Sequence, residues 1–176
     1  ILVVLYIGLG LLSHLKSLVI DDIKVVGAEV LDKDELREKV LDYLSGNSAL
    51  LYAKGNIFLF SKNKLEDFVY KEFPRVYQVL DIERQKQTLL IEIEERTSAY
   101  LWCGRNAPVY QDRFSDKDCY FIDQKGFIFD KAPFFTDGVY LSFYGGISDK
   151  DPIGQTLQTK NSMEAIKDFV TAIEDA

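Results

Sequence analysis

The chain has 176 residues, 47% of them hydrophobic and 13% aromatic, which is enough to build a core and lies outside the polar, aromatic-poor range of disordered chains. Twenty-eight acidic against 21 basic side chains leave a net charge of -7, so the surface as a whole repels phosphate and the reading includes no nucleic-acid partner. Runs of five or more Lys/Arg, low-complexity stretches and fixed-period repeats are all absent, which excludes basic tails and solenoids.

Ile1 to Leu12 read ILVVLYIGLGLL, without a charge, and only Ser13 stands before His14 and Lys16. Twelve helical residues rise roughly 18 Å, whereas a bilayer core of about 30 Å needs roughly 20 apolar residues. The run opens on Ile without a basic flank, and residues 1–19 are read as a transmembrane anchor truncated at its start. A buried core helix and a signal-peptide core are the alternatives. The second lacks a small-x-small cleavage site, because His14 and Lys16 interrupt the stretch up to Ser17.

Ile20 to Val26 is β-branched and bounded by Gly27, which predicts a strand. Asp32 precedes Lys33-Asp34-Glu35 as a helix cap, with Glu35 placed close to a capping box, and Leu36, Val40, Tyr43 and Leu44 form one helical stripe ending at Gly46. A second helix is predicted after Ser61, with Leu65, Phe68, Val69 and Phe73 on one face and Pro74 as its stop. Val76 to Glu83 and Leu89 to Glu95 predict two strands of a hairpin turning at Arg84-Gln85-Lys86-Gln87; in the second, Leu89, Ile91 and Ile93 alternate with Leu90, Glu92 and Glu94. Beyond Ala99 the chain is expected to be mainly β. NSMEAIKDFVTAIEDA at its end places Met163, Ile166, Phe169, Val170 and Ile173 on one helical face.

Chemistry-bearing constellations are scarce. His14 is the single histidine and sits at the edge of the apolar run, so no Ser-His-Asp or Cys-His arrangement follows from it. Asp116-Lys117-Asp118 and Asp149-Lys150-Asp151 lack the ligand spacing of a calcium loop and read as solvated loops. The expectation is no catalytic residue, no metal and no cofactor. Cys103 and Cys119 flank the polar insert Gly104 to Asp118 and each abuts an aromatic strand, so antiparallel pairing would bring them together as a candidate disulfide; two unpaired buried thiols are the other reading. The dense aromatics from Phe127 to Tyr144 fit a sheet core, with some of them available to a partner at an exposed strand.

The order strand, helix, helix, strand, strand over Ile20 to Glu95 resembles a POTRA domain, a small sheet with two helices on one face. Around it, IKVVGAEVLDKDELREKV following the apolar run, Phe73-Pro74-Arg75-Val76, TLLIEIEER at Thr88 to Arg96, Ala99-Tyr100-Leu101-Trp102 and Tyr120 to Phe129 with its Asp123 and Gly126 are similar to motifs of the bacterial cell-division FtsQ/DivIB family. Two prolines common in that family are replaced, by Gln87 and Thr97. The resemblance implies an α+β chain. Its parts would be a truncated N-terminal transmembrane helix (1–19), a POTRA domain (20–96) and the start of a mainly β domain with a helix (97–176), incomplete at its end. It implies a non-enzymatic scaffold at the septum, held in the cytoplasmic membrane by one pass with its folded domains extracytoplasmic. The implied partners are division proteins of the FtsB and FtsL type and, through them, the septal peptidoglycan synthase; no partner-binding residue is assigned. The alternative function is a POTRA module of an outer-membrane insertion or secretion machine that handles unfolded strands.

Overall fold

A computed structural model of the protein describes residues 1–107, 118–135, 139–147 and 150–157, together with the helical positions Ala165, Asp168 and Ala172. The chain is a mixed α+β protein that divides into two compact units, Ile1–Glu95 and Arg96–Ala176.

The first unit opens with α1 (Leu2–Ser13), a 3₁₀ turn at Lys16–Leu18 and β1 (Asp22–Val26). Next comes α2 (Lys33–Ser45), capped by Asp32, whose carboxylate accepts the amides of Asp34 and Glu35. Glu35 does not close a capping box but lies 3.2 Å from Lys39 one turn on, so its side chain completes an i,i+4 ion pair instead. A hairpin of β2 (Asn47–Ser48) and β3 (Tyr52–Ala53) leads to α3 (Lys62–Glu72), where Ser61 Oγ accepts the Lys64 amide at the start. Pro74 follows the last turn. The antiparallel pair β4 (Val76–Gln85) and β5 (Thr88–Glu95) completes a sheet of order β1-β5-β4, in which β1 runs parallel to β5.

Leu36, Val40 and Leu44 of α2 and Leu65 and Val69 of α3 lie in one core with Ile23, Leu89, Ile91 and Ile93 of the sheet. The other face of β5 carries Leu90, Glu92 and Glu94, so the alternation along this strand assigns one face to the helices and one to solvent. Tyr43 stacks on Phe68 at 4.2 Å beside this core; burial, and then the charge of Asp67, push its phenol above the ordinary tyrosine range. The two long strands are wider than expected, leaving only Lys86 and Gln87 in the turn, with Lys86 at φ +60°. Inward residues of β4 recur every third position, at Val76, Val79 and Ile82, because register shifts after Val76 and Val79 each rotate the following residues.

The N-terminal segment differs from the transmembrane anchor expected over residues 1–19. Among the described residues no helix is long and apolar enough to cross a membrane. Helix α1 stops at Ser13 because from there the chain is committed to the first unit. Ser13 Oγ donates to the Gly10 carbonyl (2.6 Å) and accepts the Ala53 amide (2.9 Å), while the Asn56 side-chain amide donates to the Ser13 carbonyl (2.9 Å). Further down, Gln87 donates from its side chain to the carbonyls of Lys16 and Val19, and its own carbonyl accepts the Asp21 amide. A proline there would keep only the carbonyl.

The second unit holds a sheet of order β8-β7-β6-β9, built from β6 (Tyr100–Trp102), β7 (Tyr120–Ile122), β8 (Ile128–Lys131) and β9 (Ser142–Phe143). One face packs Trp102, Ile122 and Ile128 with Ile147 and Leu157; the other packs Leu101, Cys103 and Ala132 with Phe121, Phe135 and Tyr140. The expected helical face of Met163, Ile166, Phe169, Val170 and Ile173 lies outside the described residues.

Candidate functional site

The consecutive residues Glu95 and Arg96, at the boundary of the two units, are each held inside their own unit. Glu95 ends β5, and one of its carboxylate oxygens accepts the amides of Glu29, Val30 and Leu31 at 2.7, 3.0 and 2.9 Å, fixing the segment between β1 and α2. Arg75 approaches the other oxygen at 3.8 Å. Gly27 opens that segment at φ +88°, and a side chain there would collide with the Ile93 carbonyl, so the close approach of the loop to β5 requires glycine.

Arg96 donates to Asp123 Oδ2 at 2.6 Å, and its guanidinium lies 4.1 Å over the Phe127 ring. The second oxygen of Asp123 accepts the amides of Lys125 and Phe127, while Gly126 takes φ +81° and donates to the Asp123 carbonyl. Asp123 therefore acts as the organiser of the β7–β8 turn, with both oxygens occupied by structural partners. The resemblance singled out Asp123 with Gly126 and Glu95 with Arg96, but not the remote donors. Arg96 reaches Asp123 across 27 residues and the amides on Glu95 come from 64 to 66 residues away, whereas Lys125 and Phe127 are Asp123's own neighbours in the turn.

Cys103 and Cys119 stand one residue beyond the Trp102–Tyr120 pair of β6 and β7 and are disulfide-bonded, with Cα atoms 4.2 Å apart. That separation is the close spacing of an antiparallel pair that exchanges no backbone hydrogen bonds. The bond closes the insert at its base; residues 108–117 of the insert, Asp116 among them, lie outside those described. A loop of about 15 residues predicts a contribution on the order of 3 kcal/mol. Replacing both cysteines with serine is expected to lower the denaturant stability of the second unit by about that amount, and non-reducing mass spectrometry of the parent should find the pair two hydrogen atoms lighter than the dithiol.

The remaining polar candidates occupy structural positions. His14 Nε2 lies 3.0 Å from the Leu51 carbonyl at the end of α1. Asp118 pairs with Lys131 at 2.8 Å; this hydrogen bond, aided by the same charge, raises the ammonium pKa. The Asp151 carbonyl accepts the Gln155 side chain, and Asp149 lies outside the described residues. Among the described residues no three His, Cys, Asp or Glu side chains are grouped so as to hold a metal ion.

The aromatic-rich stretch divides in two. Phe135 and Tyr140 close around Phe121 with ring centroids 5.0 to 5.8 Å apart, and Phe143 meets Tyr100 edge-on. Phe134 (76% exposed), Val139, Leu141 and Tyr144 instead face solvent. Leu141 and Phe143 turn their carbonyls to the amides of Leu101 and Cys103, so Ser142 between them turns its backbone groups away from β6. At the opposite edge, the first residue of β8 is already covered, because Ile128 exchanges hydrogen bonds with Gln155 and Gly154. Neither a protein-family model nor a curated protein matches the chain.

Proposed function

We infer that this chain is a membrane-associated, non-enzymatic scaffold of the FtsQ/DivIB type, its first unit a POTRA domain and its second the beginning of the β domain. The observation that carries this reading is the β1-α2-α3-β4-β5 order of the three-stranded sheet and the two helices on its one face, with the small β2–β3 hairpin set between the helices, joined through Glu-Arg to a mainly β unit. The sequence motifs around that order support it. On this reading the protein sits at the division septum with its folded units outside the cytoplasm, an oxidising location consistent with a disulfide. It binds proteins of the FtsB and FtsL type and, through them, the septal peptidoglycan synthase.

Capture of such partners draws on a sheet edge and on exposed apolar side chains, and the β9 side of the second unit offers both. Ser142→Pro removes an outward amide, and Leu141→Asp places a charge beside it. Each is expected to reduce co-purification of division proteins from membranes by at least about ten-fold, the scale of an interface hot spot. His14→Ala and Asp118→Ala should leave capture and division intact. Loss of division with capture intact in either alanine variant would identify an enzyme and overturn the scaffold reading.

A further inference from the structure

The β2–β3 hairpin is laid against α1. Gly10 meets Leu51 so closely that a Cβ on the glycine would stand 3.0 Å from the Leu51 Cβ. The Tyr6 hydroxyl donates to the Ala49 carbonyl at 2.8 Å, and the Tyr6 and Tyr52 rings meet edge-on at 5.2 Å. From Ser13, bonded to Ala53 at the base, to Tyr6 at the tip is about two helical turns, roughly 10 Å of rise. The hairpin thus runs up the helix and ends on Leu50, which is 91% exposed.

Three features suit this tip to lipid rather than water. First, α1 is apolar all round, with Leu2, Val3, Val4, Leu5 and Ile7 exposed, a composition that calls for a protein core or a bilayer. Second, the turn places Ala49 and Leu50 at positive φ, +47° and +70°, where a water-facing turn ordinarily carries Gly, Asn or Asp. Third, the charges stop at one level on both segments. Residues 1–13 and 47–53 carry none, and the first cationic side chains, Lys16 and Lys54, come just past the Ser13–Ala53 bond. Two segments about 40 residues apart in sequence share this boundary, with tyrosines on the apolar side and lysines beyond it, the layering of a bilayer interface.

The geometry points to a second membrane contact: the Ala49-Leu50-Leu51 tip inserts into the bilayer beside α1, and the two together seat the first unit on the lipid surface. This rests on the membrane association inferred above. It adds that a loop of the folded unit, and not the helix alone, enters the lipid.

The test uses the full chain with Leu50→Trp, mixed with vesicles of phosphatidylglycerol and phosphatidylethanolamine carrying brominated acyl chains. The parent's buried Trp102 serves as background, and Leu5→Trp and Tyr77→Trp report α1 and the open sheet face. Leu50→Trp and Leu5→Trp should both shift to the blue and lose at least about half their added emission to the bromines, while Tyr77→Trp does neither. Leu50→Asp, at an exposed position that folding does not depend on, should weaken vesicle partitioning roughly ten-fold. Quenching at position 5 without quenching at position 50 overturns this inference and leaves membrane association standing. Absence of both overturns both. A blue shift at position 50 that appears without lipid on self-association, or only when another protein is added, assigns the tip to a protein contact and also overturns the inference.

Discussion

Val40→Asp is expected to unfold the first unit or bring it close to unfolding. Val40 has no exposed surface and lies in the core with Leu36, Leu44, Leu65 and Val69 from the two helices and Leu89 and Ile91 from the sheet. A carboxylate there would face aliphatic side chains, so it must be buried charged, be buried protonated without a partner, or force the helices apart. Each route costs about 4 kcal/mol or more, a large part of the 5–15 kcal/mol that stabilises a typical domain. Val40→Ala, which only opens a cavity, should cost about 1–3 kcal/mol. The check is urea denaturation with two probes. Among the described residues the helical segments α1, α2 and α3 all belong to the first unit and dominate helical circular dichroism, and the fluorescence of Trp102, the chain's single tryptophan, reports the second unit. The helical transition should move to much lower urea and the tryptophan transition should move far less. An unmoved helical transition would contradict the core assignment.

Asp123→Ala should act on the opposite probe. Its side chain is 9% exposed and that of Arg96 is 15%, so removing the carboxylate takes a 2.6 Å charged partner from a guanidinium with little water and frees the amides of Lys125 and Phe127. Breaking a buried pair from one side costs about 3–5 kcal/mol; the residual exposure of Arg96 and its stacking on Phe127 place the expected loss near 3 kcal/mol. Asp123→Asn retains an acceptor for the two amides and should recover part of that loss. Here the Trp102 transition is the one that should fall, since Trp102 shares the sheet whose β7–β8 turn Asp123 holds. Glu95→Ala, one residue from Arg96, should instead depress the helical transition, because its three amide donors lie between β1 and α2. Equal effects of the two variants on both probes would show that the junction couples the units rather than anchoring each one.

The helices were legible because their signals are local. Asp32 and Ser61 cap from two or three residues away, Pro74 stops α3, and the 3.6-residue stripe names Leu36, Val40, Leu65 and Val69 as buried. The alternation along Leu89 to Glu94 likewise needs only one strand's residues. Strand β4 is the counterexample. Its three-residue period belongs neither to a helix nor to a regular strand, and it makes sense only once the bulges against β5 are known. The β2–β3 hairpin gave no turn signal, since Ala49 and Leu50 take conformations that their identities disfavour.

The sequence by itself therefore determined the elements whose partners are neighbours along the chain: the caps, the helix stops, the buried stripes and the alternating strand. Tertiary structure alone decided whatever depends on a partner 40 or more residues away. Tyr6 reaches Ala49 across 43 residues, and the amides of Glu29, Val30 and Leu31 find Glu95 across 64 to 66. It also decided where α1 ends, because an apolar run specifies only that water is excluded, whereas the Ser13–Ala53 and Asn56–Ser13 hydrogen bonds specify the surface against which the helix stops. Apolar burial is non-directional and can be read from composition. Hydrogen bonds are directional, and their partners are set only when the chain has folded.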